Sequence, residues 1–255
     1  MKIKMVVAVH KPYEVPDNNI YMPIQVGAEG KSTIGFQGDN TGENISFKNP
    51  YYCELTGIYW AWKNLEAEVI GLVHYRRYFG KKTTDDYLRD LITPEEIEGC
   101  LSLYDIIVPQ KNHYYIDTIE SHLHHHLKLF TKVDYLGFLR LAVKETWPEY
   151  GDSLEKCLKK RSGHMCNMFV MRRENFCAYC EWLFLILEWM EKKHSQYTAE
   201  EPMQRIYGFL GEILLDVWID RNKIRYVEYP IISLEERSKF RKGIDFCKRK
   251  FLGIK

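Results

Sequence analysis

Val69-Ile70-Gly71-Leu72-Val73-His74-Tyr75-Arg76-Arg77-Tyr78-Phe79 is the stretch whose reading decides the fold. Its opening apolar run, rich in β-branched residues, predicts a buried strand over residues 69–75. A histidine and two arginines follow without a spacer. Arginines so placed either reach solvent at a sheet edge, pair with a carboxylate from a neighbouring loop, or meet an anionic ligand. The guanidinium fork matches phosphate oxygens in pairs, so a diphosphate is the natural ligand.

Outward from this stretch the pattern repeats. Residues 3–9 are a second apolar run, broken by His10-Lys11-Pro12. A strand that opens a chain and ends in a polar loop is how nucleotide-binding α/β domains begin, with the ligand beyond its carboxyl end. Leu55, Ile58, Tyr59 and Trp62 recur at helical spacing and predict a helix over 51–65. A helix over 94–103 and a third strand over 104–109 follow. Strands alternating with helices predict one mixed α/β sheet, with 3–9, 69–75 and 104–109 as neighbours and 51–65 on its face. Between them, residues 26–50 form a long polar stretch whose Gly38-Asp39-Asn40-Thr41-Gly42-Glu43-Asn44 favours turns. The second half predicts helix over 116–146, a strand over 166–171, helices over 174–193 and 202–220, and a last strand over 226–232.

Composition narrows the function. The 255 residues suit one large domain, or one domain with an appendage. A net charge of +1 gives no basic surface for nucleic acid. Neither GxGxxG nor GxxxxGK[ST] occurs, which disfavours dinucleotide and P-loop chemistry. No apolar run is long enough to span a membrane, and residues 1–10 lack the features of a signal peptide. The seven cysteines, irregularly spaced, read as reduced thiols, and Cys177-x-x-Cys180 has no second pair. The expected location is the cytoplasm. The 18 Tyr, 12 Phe and 6 Trp fit either a tyrosine-heavy core or a cleft for sugars and nucleobases, which have flat apolar faces and polar edges.

One block is specific enough to carry a resemblance. Gly38-Asp39-Asn40-Thr41-Gly42-Glu43-Asn44-Ile45-Ser46, Lys48-Asn49-Pro50, Tyr52-Cys53-Glu54-Leu55-Thr56-Gly57, Tyr59-Trp60-Ala61-Trp62-Lys63-Asn64 and Gly71-Leu72-Val73-His74-Tyr75-Arg76-Arg77 resemble a bacterial family first filed as a domain of unknown function. The resemblance implies a glycosyltransferase of capsular and exopolysaccharide biosynthesis, the role ascribed to members of that family. It extends to Asn167-Met168-Phe169-Val170-Met171 and to Arg205-Ile206-Tyr207-Gly208-Phe209-Leu210-Gly211-Glu212, covering roughly residues 1–225.

The resemblance implies a GT-A-like mixed sheet flanked by helices over residues 1–232. A nucleotide-binding half (about 1–110) would precede a helical acceptor half (about 111–232). It implies transfer of a hexose, with galactose and galactofuranose as candidates, from a UDP-sugar to a polyprenyl-linked oligosaccharide of capsule, exopolysaccharide or O-antigen. A rival reading is a non-catalytic carbohydrate-binding or scaffold subunit. In the GT-A fold an Asp-x-Asp usually holds a divalent Mn or Mg ion on the donor diphosphate. Here that place is taken by His74-Tyr75-Arg76-Arg77, and no Asp-x-Asp occurs; Asp85-Asp86 lies in a polar loop. Metal dependence is therefore open, and cationic side chains are the alternative.

Carried over residue by residue, the expected donor-binding set is His10, Lys11, Asp39, Asn40, Asn44, Lys48, Asn49, His74, Arg76 and Arg77. Asn167, Met168, Arg205 and Tyr207 are expected on the acceptor side. Glu212, after Gly208 and Gly211, is the candidate base for the acceptor hydroxyl; its other reading is a charge near a helix start. Glu54 and Asp39 are lesser choices. His122, His124, His125 and His126 lack a metal-ligand pattern and read as a solvated helix face, with one of them a candidate for the acceptor groove. Residues 233–255 carry basic and apolar side chains in alternation. They suit a basic amphipathic helix on an anionic membrane surface, placing the chain peripherally on the inner face of the plasma membrane, or else a solvated terminus.

Overall fold

The computed structural model describes residues 1–84 and 86–234. The basic tail beyond Leu234, and Asp85, lie outside the described residues. The expected mixed sheet with helices on both faces is what forms. Among the described residues its strands are β1 (Ile3–Val9), β2 (Tyr21–Gln25), β3 (Gln37–Gly38), β4 (Val69–His74), β5 (Arg77–Phe79) and β6 (Ile106–Pro109). A separate pair, β7 (Asn112–His113) and β8 (Ser162–Gly163), precedes β9 (Phe169–Arg172), β10 (Tyr226–Tyr229) and β11 (Ile231–Ser233).

β1 lies centrally, parallel to β4 and β2, with Val7 opposite both Val73 and Pro23. Alternate residues of β1 serve different cores: Val6 and Ala8 face one, Met5, Val7 and Val9 the other. Both faces are therefore buried, which is why the strand reads as one continuous apolar run. The larger core is covered by α2 (Leu55–Asn64), α5 (Tyr135–Thr146), α6 (Gly151–Leu158), α7 (Arg173–Tyr197) and α8 (Ile206–Asn222). α3 (Pro94–Leu103) closes the smaller core with Ile97 and Leu101. Its start is set by a reciprocal cap in which Thr93 accepts from Glu96 N and Glu96 accepts from Thr93 N.

The strand order is β10-β6-β9-β4-β1-β2-β3. The three strands expected as neighbours share this sheet, but antiparallel β9 is inserted between β4 and β6, with Gly71 and Ile107 both opposite Val170. A short strand buried on both faces has no alternation to say which slot it fills. β2 is absent from the sequence expectation, because Pro23 interrupts its pattern. It is tolerated where β3 pairs only with Ile24 and Gln25.

The predicted helix over 51–65 is two: α1 (Asn49–Tyr52) and α2, parted at Cys53, whose φ is 53°. The helix over 116–146 likewise divides into α4 (Ile119–Leu127) and α5, each with its own cap, Thr118 and Asp134. Pro230 divides 226–232 into β10 and β11.

Candidate active site

The carboxyl ends of β1 and β4 open into a cavity of about 590 Å³, lined by His10, Asn49, Cys53, Glu54, His74, Tyr75, Arg76, Arg77, Cys166, Arg205 and Glu212 among others. The chain leaves β1 for β2 on one side and returns as β4 on the other, so this crevice is where an open α/β sheet binds ligands. Arg76 stands in the turn after β4 and Arg77 opens β5, with Arg76 over the buried Tyr75 ring at 4.7 Å. Arg205 precedes α8, whose N-terminal dipole adds partial positive charge at the same wall. His74 Nε2 lies 2.6 Å from the Cys166 carbonyl.

Three lining residues, Cys53, Cys166 and Arg205, have φ of 53°, 72° and 67°. Asn167, directly behind the cavity, has φ of 51°. Such strain persists only where surrounding contacts enforce it, and it gathers at functional sites. Here the contacts are visible. Asn167 is 1% exposed and donates from Nδ2 to Glu54 Oε1 at 2.7 Å and to the Gly208 carbonyl at 3.0 Å. A Cβ on Gly211 would come within 2.8 Å of Asn167 Oδ1. Only glycine lets α8 approach that closely.

Glu212 is half-buried in the wall. Burial, and then the negative charge of Glu54, push its carboxyl up to about 8; the Cys166 N–H, Arg205 and Arg77 act the other way. Burial also pushes the Cys53 thiol to about 11 and that of Cys166 to about 12, so neither is a thiolate nucleophile at neutral pH. The other side of Glu212 faces a second cavity of about 220 Å³. Tyr114, Ile119, His122, His126, Met165 and Phe209 are among its lining residues. His122 and His126 border it at i and i+4 from α4, while His124 and His125 do not. One carboxyl group thus borders both a cationic cavity and an aromatic one.

Of the residues expected to bind donor, His10, Asn49, His74, Arg76 and Arg77 line the first cavity. The others serve elsewhere. Asp39 is fully buried and accepts from Gly27 N, Ala28 N, Thr56 Oγ1 and Ser46 Oγ. Asn44 closes a local turn with Gly42 and Ser46, and Lys48 pairs with Glu191 at 2.6 Å. Asn40 and Lys11 are exposed outside the lining. On the acceptor side Arg205 lines the cavity, Asn167 braces it, and Met168 and Tyr207 are core residues. Cys53, Cys166, Tyr114 and Phe209 are not among the expected site residues, because backbone breaks and chain crossings bring them to the site.

Residues 4–223 match the family model described as a domain of unknown function, DUF4422. The chain belongs to this family. The DUF4422 chain is also similar to the apo structure of the bifunctional glycosyltransferase WbbM, with TM-score 0.79 and 28% identity over 92% of this chain and 46% of that one. It therefore spans about half the length of that protein. No curated protein matches it. The fold of the DUF4422 chain is GT-A-like, a mixed sheet flanked by helices. Among its described residues no helix is long and apolar enough to cross a membrane.

Proposed function

We propose that the chain is a glycosyltransferase that moves a hexose from a UDP-sugar to a hydroxyl of a lipid-linked oligosaccharide. The observation that supports this most is the position of Glu212 between a cavity with three arginines and one lined by aromatic rings. Arg76 and Arg77, with Arg205 and His10, would hold the donor diphosphate. The aromatic cavity would take the acceptor sugar, whose apolar face packs on rings while its hydroxyls meet His122 and Glu212. Glu212 takes the proton of the acceptor hydroxyl. That oxygen bonds to the anomeric carbon as the carbon–oxygen bond to the diphosphate breaks, its electron pair leaving on UDP. A base whose pKa lies near working pH is suited to this step.

The place usual for metal-binding carboxylates carries His74 and two arginines, and no group of three or more metal-ligating side chains gathers among the described residues. These residues do not fit a divalent ion, so charge neutralisation falls to the arginines. The glycan pathway, with galactose or galactofuranose as the transferred sugar, follows the family resemblance. A lipid-linked acceptor would place the chain at the inner face of the plasma membrane.

Saturation-transfer NMR against a panel of UDP-hexoses and free UDP tests the reading. Binding of UDP and of one UDP-hexose, weakened in Arg76→Ala and Arg77→Ala, is expected. A chain that binds no nucleotide sugar is not a transferase of this kind.

A further inference from the structure

Along α8, Gly208, Glu212, Asp216 and Asp220 recur every fourth residue, which places them in one row on the helix surface. The row passes three cavities in succession. The arginine cavity and the aromatic cavity share Glu212. Beyond them, a third cavity of about 430 Å³ shares His164 and Asp216 with the aromatic one, and is lined further by Lys111, Ser162, Lys223 and Tyr226. From Glu212 to Asp220 the helix rises roughly 12 Å at 1.5 Å per residue, more than a single sugar ring spans.

His164 joins the second cavity to the third. It is 2% exposed. Its backbone N–H donates to Asp216 Oδ2 at 3.0 Å, and its Nδ1 is bonded to Asp216 Oδ1. The carboxylate needs a donor there, so Nδ1 carries a proton, and in the neutral ring Nε2 is an acceptor. That Nε2 is buried with no hydrogen-bond partner, and Glu228 at 3.7 Å is beyond hydrogen-bonding reach. A buried polar atom left unmatched at a cavity wall is a place where a ligand donor fits. Most of the charges nearby are matched within the chain, with Lys223 exposed at the rim. Lys111 is held by Glu228 at 2.9 Å and by the Tyr226 hydroxyl at 2.6 Å, and Asp220 is paired with Lys156 at 2.7 Å. This composition, polar, with its buried charges paired and a tyrosine ring at the wall, suits the hydroxyls of a sugar.

We infer that the third cavity is a distal acceptor subsite, which takes the penultimate sugar of the acceptor glycan through a hydroxyl donating to His164 Nε2. The inference rests on the transferase reading, and requires that the enzyme recognise at least two sugars of its acceptor.

Two variants change this cavity with little demand on the backbone. His164→Asn preserves a donor to Asp216 but has no counterpart of Nε2. Lys223→Asn sits at φ 52°, a conformation that asparagine accepts. The measurement is saturation-transfer NMR in the presence of UDP, using disaccharide glycosides and the monosaccharide glycosides of their non-reducing ends. The wild type should bind one disaccharide more tightly than its terminal monosaccharide. His164→Asn should weaken that disaccharide about tenfold, the worth of one hydrogen bond. Lys223→Asn should weaken it less. UDP affinity should be unchanged in both variants, since neither residue lines the arginine cavity. Equal binding of mono- and disaccharides by the wild type, or unchanged disaccharide affinity in His164→Asn, overturns the subsite. No saccharide binding with UDP binding intact overturns it alone; loss of both removes the transferase reading as well.

Discussion

Asn167 Nδ2 donates to Glu54 Oε1 at 2.7 Å, across 113 residues of sequence. This bond ties the strained turn before β9 to the break between α1 and α2, and it holds one carboxylate beside another. Glu54 is the charged neighbour that raises Glu212. The base proposed for transfer is therefore tuned by a residue that reaches it only through the fold.

The pH profile of kcat/KM should rise toward an inflection near 8, the pKa to which burial and Glu54 push Glu212. Glu54→Gln removes the repelling charge and should move the inflection to lower pH. A profile unaffected by Glu54→Gln separates the two carboxyls.

Glu212→Gln should depress turnover by ~10²–10⁴ with donor affinity nearly unchanged, because a base acts in the transition state. Its effect on stability has a defined sign. The unfolded chain loses this proton near the ordinary 4.5, whereas the folded chain keeps it to about 8. Between those values the folded state binds more protons, so wild-type stability falls as pH rises through the window. Glu212→Gln should lack that fall. Melting temperatures at both ends of the window measure it.

Arg76→Ala and Arg77→Ala should each weaken UDP-sugar binding by ~1.5–3 kcal/mol, the scale of a hydrogen bond to a charged group. Titration calorimetry at two salt concentrations checks this, and unchanged affinity in both variants removes the pair from the donor site.

Asp39→Ala should act on stability. It strands the N–H groups of Gly27 and Ala28 and two hydroxyls at a fully buried position, at a cost of about 3 kcal/mol or more. Denaturant unfolding should show the loss, while the folded fraction binds nucleotide as the wild type does.

Chelation should leave turnover unchanged, because arginines, not gathered carboxylates, follow β4. Abolition of activity by EDTA, with restoration by Mn or Mg, would require a metal at this cavity.

Apolar runs and helical spacing in the sequence determined β1, β4 and α3, since burial on both faces leaves a continuous apolar run and burial along one stripe a local period. The same local chemistry put His74, Arg76 and Arg77 at a strand end, where an α/β sheet presents side chains to a ligand. Tertiary structure alone decided the slot of β9, the breaks at Cys53 and Arg205, and the burial of Asp39 in a hydrogen-bonded knot. It also decided that Glu212 borders two cavities and that His164 meets Asp216 across 52 residues. Strand partners, left-handed turns and desolvation depend on which distant segments pack together, and a period along the chain holds no information about that.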